Sequence, residues 1–455
     1  MDEQTILKEL CAKEIKEGCY DVKIDGISPY SIVREELRNI YFKKEGYQYQ
    51  VLRGTVKKKK AIVTIFISLF HIIKLFVKNS KQSIVFLSSA RLERINGLYL
   101  DKFVDPIIDE ASITNYIILE NGRGGFHLKP RAHQKNTYYI DLLVILAKIE
   151  AKIRRPFIIK KYIRELSCLF EVILKVYGEE IIKKKDLFNY IIFKYIQIRY
   201  YKYLFGIISP SIIIGASRGF LLPMFVAGRK CKIPIVELQH GITYGESSVY
   251  SGFRDKAVVP DYFFAFGNNE PLNVYGIEEG KIINVGFALL DYLNKNTKDI
   301  NNHNSVLVIS DYGKVKETLD FIESLALVNP AIEFALRPHP LENNIEENFV
   351  SWNHSSNICL QDRTINIIET LYSFNFVIGE SSTVLYEALA LGKRVGKLKS
   401  DQLHPLYLKE DDKVYFWEIK NKEEFSSFMN NKNDVKKGRS IYSPFNKKLF
   451  LETIK

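Results

Sequence analysis

Three short segments concentrate the residues able to do chemistry. Gln239-His240-Gly241 follows the apolar run Pro234–Leu238, Arg337-Pro338-His339-Pro340 follows Ile332–Leu336, and Glu380-Ser381-Ser382-Thr383 follows Phe376–Ile378 and opens the run VLYEALALG. An imidazole titrates near neutrality, which suits His240 to general-base work, and the neighbouring glycine lets the backbone turn sharply toward a ligand. The same histidine could equally serve the fold by bonding a carbonyl. Prolines on both sides of His339 restrict where its ring can point, and Arg337 adds a second donor for a phosphate oxygen. The plain alternative there is a rigid turn with incidental polar groups. Ser381, Ser382 and Thr383 are good helix caps, and a helix start also presents N–H groups to an anion. Glu387, one turn further, could accept bonds from ribose hydroxyls. Ser310-Asp311-Tyr312-Gly313 has the form of a phosphate-approach loop with a single glycine, and Asp311 could equally cap the helix that follows.

These segments share a setting, each lying just past a short apolar run. Strands are expected at Ile84–Ser89, Ser211–Gly215, Pro234–Leu238, Tyr262–Phe266 and Lys281–Val285, with a helix over Ser217–Arg229. A second set follows at Ser305–Ile309, Ile332–Leu336, Ile358–Leu360, Phe376–Ile378 and Arg394–Leu398, with helices near 314–327, 365–372 and 383–391. Apolar strands alternating with helices predict parallel sheets covered on both faces. Between the two sets, Asn294–Asn304 reads NKNTKDINNHN, a linker composition. The expected organisation is a helical extension over 1–80, an acceptor domain over 81–293, a nucleotide-donor domain over 305–430 and a tail over 431–455. Ligands of such sheets gather beyond the carboxyl ends of the strands, where all three segments fall.

Composition narrows the partners. The chain has 455 residues, 46% of them apolar, and a net charge of +12. That length calls for two domains. The basic excess, seen in Lys57–Lys60, Arg154-Arg155, Lys160-Lys161 and Lys183–Lys185, suits an anionic leaflet, a nucleotide or an acidic polysaccharide. Solvated lysines on helices are the plainer account of any one cluster. Nucleic acid is not expected, since zinc spacings, RNP-type aromatics and helix-turn-helix signatures are missing. Five scattered cysteines, Cys11, Cys19, Cys168, Cys231 and Cys359, favour a reducing compartment, and the acidic N-terminus lacks the layout of a signal peptide. Ala61–Val77 (AIVTIFISLFHIIKLFV) is short for a span and contains His71 and Lys74. A buried amphipathic helix is expected there, ahead of a membrane-surface helix or a spanning one.

The order of the segments, HG late in the first domain, RPHP early in the second and SST opening a later helix, resembles the GT-B glycosyltransferases that build capsules, lipopolysaccharides and teichoic acids. These include bacterial sialyltransferases, Kdo transferases and CDP-glycerol glycerophosphotransferases. The resemblance covers roughly residues 205–400. It implies an α/β fold of two Rossmann-like domains facing across a cleft. It also implies that His339 sits on the donor phosphate or leaving group, with Arg337 adding charge. Ser381, Ser382 and Thr383 would hold the phosphate, Glu387 the ribose, and His240 would face the acceptor as base. Asp311 and Gly313 fall on the donor side. Gln239, Gly241, Tyr244, Glu246, Tyr250, Arg91 and Glu120, with Arg94, Asn121 and Arg123, are the acceptor-side candidates. Such enzymes need no metal, and no Asp-x-Asp motif is present. No cofactor is expected beyond the donor itself, a CMP-, CDP- or UDP-linked sugar.

The chain departs from the glycerophosphotransferases in carrying Gln239 where they usually have tryptophan before the HG. The sialyltransferases pair their HP motif with an acidic Asp/Glu-Asp/Glu-Gly stretch in the first domain. Asp311-Tyr312-Gly313 lies in the second, so no aspartate base is expected. The resulting expectation is a cytoplasmic enzyme, peripheral on the inner membrane face, that transfers a sugar from a nucleotide donor to a glycan or lipid-linked glycan. Transfer of a polyol phosphate, a non-catalytic glycan- or nucleotide-binding role and an epimerase-like reaction are the alternatives.

Overall fold

The computed structural model describes residues 3–46, 58–78, 81–89, 92–122, 127–241, 247–253, 255–267, 276–296, 304–340, 342, 344–352, 354–363, 365–380, 382–398, 416–430 and 442–454. Three helices come first: α1 (Glu3–Lys16), α2 (Pro29–Lys44) and α3 (Lys58–Val77). After β1 (Ile84–Leu87) the chain makes an antiparallel hairpin, β2 (Leu92–Ile95) and β3 (Leu98–Asp101), then α4 (Asp105–Ala111), β4 (Tyr116–Glu120) and β5 (Thr137–Tyr139). Three long helices follow, α5 (Asp141–Lys161), α6 (Ile163–Tyr177) and α7 (Lys184–Ile208). The first lobe closes with β6 (Ile212–Ala216), α8 (Arg218–Lys230), β7 (Ile235–Leu238), β8 (Tyr262–Ala265), β9 (Ile282–Asn284) and α9 (Ala288–Asn296). Its seven strands are all parallel, in the order β5-β4-β1-β6-β7-β8-β9.

The second lobe repeats the scheme with β10 (Ser305–Ile309), α10 (Val315–Ala326), β11 (Glu333–Arg337), α11 (Ile345–Ser351), β12 (Ile358–Leu360) and α12 (Ile367–Tyr372). It continues through β13 (Phe376–Gly379), α13 (Val384–Ala390), β14 (Arg394–Leu398), β15 (Trp417–Ile419) and α14 (Lys422–Asn430). Six parallel strands run in the order β12-β11-β10-β13-β14-β15. Central strands such as β6 and β10 are buried at every position, as expected of sheets covered on both faces. The fold is therefore the expected pair of Rossmann-like α/β halves. Most of the linker read in 294–304 lies outside the described residues.

The two ends of the chain are built into the first lobe. Arg38 of α2 is fully buried and grips Glu14 of α1 through Nε (2.7 Å) and Nη2 (2.5 Å), while Nη1 donates to the carbonyls of Ser248 (3.0 Å) and Ser251 (2.9 Å). Burial would raise the Glu14 carboxyl, but the Arg38 charge and hydrogen bonds outweigh that and hold it low. An ion pair removed from water survives when its remaining donors and acceptors are satisfied, as they are here. At the other end, α15 (Lys447–Thr453) follows a segment in which Ser443 N–H donates to Phe266 O (2.7 Å) and Phe287 N–H donates to Ser443 O (2.9 Å). The chain passes so close that a Cβ on Gly286, at φ +79°, would lie 2.1 Å from the Pro444 carbonyl oxygen. Residues 442–454 thus pack on the first lobe instead of trailing from the second.

Candidate functional site

Because both sheets are parallel, each gathers the loops after its strands along one edge. The two edges meet across a small set of polar contacts made by the β2–β3 hairpin. Lys102 Nζ lies 3.3 Å from Glu387 Oε1 of α13, and Asn366 Nδ2, just before α12, donates to Glu93 of β2. Apolar packing joins the lobes as well, in one cluster that includes Phe86 and Ile118 of the first sheet and Leu307 and Val377 of the second.

On the second lobe, β10, β11 and β13 are neighbours, so Ser310, His339 and Glu380 leave adjacent strand ends. His339 is half-buried, its ring 5.6 Å from that of Tyr312 in an edge-on arrangement. Burial lowers its pKa against the opposing pull of Asp311 and Glu342, so the imidazole is neutral near pH 7. Gly313, at φ +73°, points its N–H at the Glu342 carboxylate, so the glycine loop already donates to an anionic oxygen near His339. Helix α10 starts only at Val315, with Lys314 and not Asp311 in the cap position.

Two buried polar atoms at this edge have no hydrogen-bond partner, Ser310 Oγ and Glu380 Oε2. The other Glu380 oxygen accepts from Thr318 Oγ1 (3.0 Å). Burial, with Asp311 and Glu317 nearby, pushes the Glu380 carboxyl up to about 7. A carboxyl that keeps its proton up to about pH 7 repels an incoming anion less than an ordinary Glu would. Glu380 and Ser310 open two of the segments read from the sequence, but neither is given a role of its own there. The signal available was their position, one residue past adjacent strands.

Three donor-side expectations are corrected or narrowed. Arg337 does not present its guanidinium to the cleft. Nη1 donates to Asp362 O (2.7 Å) and Thr370 Oγ1 (3.2 Å), and Nη2 to Ile365 O (2.6 Å), so the side chain shapes the loop before α12. Glu387 is buried and meets Lys102, which makes it a cross-lobe tie and not an open ribose acceptor. Ser382 Oγ accepts from Val384 N–H (3.3 Å), one residue ahead of the cap position, which exposed Thr383 fills without a side-chain cap bond on a helix of 7 residues. Ser381 lies outside the described residues.

On the first lobe, His240 is half-buried past β7, with Nδ1 2.9 Å from Tyr250 Oη. The Tyr250 hydroxyl donates onward to Glu237 Oε1 (3.3 Å), and Glu237 is held by Arg218 Nε (2.6 Å) and the Arg218 backbone N–H (2.7 Å). A hydroxyl that donates to a carboxylate accepts from its other neighbour. The inferred tautomer of His240 therefore carries its proton on Nδ1 and its lone pair on Nε2. The sequence offered His240 as a base but missed Glu237 and Arg218, which lie inside β7 and at the start of α8 and read there as ordinary interior positions.

Acceptor-side expectations fare less well. Tyr250 is buried behind His240, a positioning residue and not an acceptor contact. Gln239 is buried too, its Oε1 accepting from Phe266 N–H (2.6 Å) and its Nε2 donating to Gly241 O (3.0 Å), so it ties β7 to β8. Glu120 is interior: Oε1 lies 3.0 Å from His127 Nδ1 and Oε2 3.1 Å from Arg131 Nε. His127 Nε2 meets Asp141 Oδ2 (2.7 Å), and Arg131 Nη1 meets Asp105 Oδ2 (2.7 Å). Burial alone would lower the His127 pKa, but hydrogen bonds to Asp141 and Glu120 raise it. Asn121 reaches Tyr201 Oη (3.5 Å), and Arg94 is exposed with its guanidinium 5.9 Å from the Tyr99 ring. Arg91, Arg123, Tyr244 and Glu246 lie outside the described residues, while Gly241 directly follows His240 at the edge of the described segment. An acidic Asp/Glu-Asp/Glu-Gly stretch does occur in the first lobe, as Glu278-Glu279-Gly280, which the sequence reading overlooked. It precedes β9 and so belongs to the opposite edge of the sheet. Among the described residues, no group of three or more His, Cys, Asp or Glu side chains is arranged to hold a metal ion.

Neither a protein-family model nor a curated protein sequence matches the chain. Solved structures do. A UDP-GlcNAc 2-epimerase from Neisseria meningitidis, bound to UDP-GlcNAc, is 14% identical, with 82% of this chain and 99% of that one aligned and a TM-score of 0.47. A UDP-N-acetylglucosamine 2-epimerase from Rickettsia bellii is 10% identical over 82% and 95% of the two chains, at a TM-score of 0.46. The spinosyn rhamnosyltransferase SpnG is 9% identical over 82% and 100%, at 0.44. Likeness of this degree concerns architecture, and nothing about substrate or reaction passes from these proteins to this one.

Proposed function

We propose that the protein is a metal-independent glycosyltransferase that moves a sugar from a nucleotide-activated donor onto a bacterial cell-surface glycan, capsule or lipopolysaccharide, on the cytoplasmic side. The observation that carries this reading is the edge formed by β10, β11 and β13. There a neutral imidazole and a glycine N–H turned to a carboxylate stand beside two buried polar atoms without partners. Buried polar groups in a folded protein are nearly always bonded, so such atoms, where ligands of parallel sheets gather, support the reading of a ligand seat here.

In this reading the donor's phosphates lie against His339 and the Gly313 loop, near Ser382. The acceptor hydroxyl approaches from the first lobe near His240. Its oxygen bonds to the anomeric carbon as the bond from that carbon to the phosphate oxygen breaks. The hydroxyl proton goes to His240 Nε2, and the nucleotide leaves with the bonding electrons, its growing charge met by preorganised donors. The Arg218–Glu237–Tyr250 chain holds the His240 ring through Nδ1 and favours the imidazolium once formed, as a carboxylate behind a catalytic histidine does. A base on the acceptor side favours inversion at the anomeric carbon.

The test is a thermal-shift panel of CMP, CDP, UDP, GDP and dTDP, since a ligand that binds only the folded state raises its melting temperature. One nucleotide is expected to stand out, and its sugar conjugate should be consumed only when a glycan acceptor is present. Consumption of CDP-glycerol or CDP-ribitol instead would replace the reading with polyol-phosphate transfer. Isomerisation of a sugar nucleotide without acceptor would make the protein an epimerase. Binding without turnover across a wide acceptor panel would leave a non-catalytic role.

A further inference from the structure

Helix α3 is amphipathic in the wrong sense for a buried element. The side facing the protein carries Thr64 and Ser68 along with Ile72 and Leu75, and His71 sits beside it. Ser68 Oγ donates to Tyr139 O (3.0 Å) and accepts from Leu142 N–H (2.9 Å), while His71 Nδ1 accepts from Tyr139 N–H (3.2 Å) with its ring stacked 4.6 Å from that of Tyr139. The outward side carries Phe66, Leu69, Phe70, Ile73, Phe76 and Val77, with Phe66 67% and Val77 82% exposed. This overturns the buried helix expected over 61–77. Helix α5 packs beside α3 and continues the pattern, exposing Leu146, Ile149, Ile153 and Phe157 at helical spacing. Isolated exposed apolar residues are ordinary, but exposed apolar stripes on two helices that pack together are not.

The charge around the patch identifies what covers it. Residues 58–77 contain no Asp or Glu and begin with three lysines, and Lys74 and Lys78 stand exposed at the other end. On α5 the exposed set includes Lys148, Lys152, Lys160 and Lys161, and the acid among them, Glu150, is already paired with Arg154 and Arg199. A two-fold partner copy would set this basic rim against itself. None of the described helices is long and apolar enough to cross a membrane. We infer that the α3–α5 face is an interfacial docking surface for an anionic lipid bilayer. The aromatic and aliphatic stripes enter the headgroup boundary, the lysines reach back to lipid phosphates along their stems, and α3 lies in the plane of the surface. The inference concerns a face of the first lobe made of helices and is independent of the donor reading of the second lobe.

The experiment is co-sedimentation of the full chain with vesicles of phosphatidylcholine alone or with about 30 mol% phosphatidylglycerol, at low and high salt. The protein should pellet with the anionic vesicles, less so at high salt, and stay in solution with the neutral ones. Phe66→Ser/Phe70→Ser, which alters two outward side chains, should weaken vesicle binding about tenfold or more. Its melting temperature should match the parent, which separates lost docking from lost folding. Absence of binding to anionic vesicles overturns the inference, as does equal binding by the double variant. A wild-type dimer in light scattering that the double variant abolishes, without vesicle binding by either, assigns the face to a second copy instead.

Discussion

The two strand-end edges that face each other are built on the same plan but differ in what their charged groups meet. The first lobe spends its charges internally: Glu120, His127, Asp141, Arg131 and Asp105 interlock, and Asp101 accepts from Ser88 Oγ (2.9 Å) and the Ser89 N–H (2.7 Å). Both edges hold buried polar atoms without a hydrogen-bond partner, Asp105 Oδ1, Glu120 Oε2 and Arg131 Nη2 in the first and Ser310 Oγ and Glu380 Oε2 in the second. In the first these belong to charges already in ion pairs, whereas His339 in the second is neutral. Interlocked ion pairs rigidify a wall, whereas an edge without them can take a guest. Charge content alone does not mark a binding lobe; what matters is whether the charges are already answered.

The contrast can be broken most severely at Arg131. Arg131→Met would strand the buried Asp105 and Glu120, and the loss of native stability is expected to be about 3–5 kcal/mol in denaturant unfolding. A loss close to zero would mean that the first edge is not self-sufficient. On the other side, His339→Ala should leave folding intact and reduce kcat/KM by about 2–4 kcal/mol of transition-state stabilisation, the cost of one preorganised donor. Normal turnover by the folded variant would remove His339 from the chemistry.

The smallest effect is expected at Glu380, where burial sets a pKa of about 7 against an ordinary 4.5. The folded state holds that proton more tightly than the unfolded chain. The stability it lends is therefore fully present below the ordinary value and is lost as pH rises through the higher one. Glu380→Gln should flatten that fall, narrowing the difference in melting temperature between about pH 5 and about pH 8 by about 2 °C. An unchanged pH profile would show that the carboxyl is not held neutral.

The sheets were legible because strands buried on both faces leave unbroken apolar runs. Ser211–Gly215 was read for what is Ile212–Ala216, and helix 383–391 for Val384–Ala390. The loops after them were legible for the same reason. What those side chains do was much less so. Glu387 and Lys102 are 285 residues apart, and no local pattern pairs them. Gln239 and Glu120 stood in the right loops yet turned inward to Phe266 and to His127 and Arg131. Helix α3 shows a further limit. Periodicity reveals that a helix has two unlike sides, not which one meets the protein, and here the polar side does.

The return of the chain to its starting lobe has a mechanical consequence. Among the described residues, α9 belongs to the first lobe and β10 to the second, and by Tyr442 the chain is back on the first lobe, where the Gly286–Pro444 contact holds it. The second lobe is therefore flanked in sequence by segments seated on the first, and a bulkier residue at Gly286 would push one of those seats away.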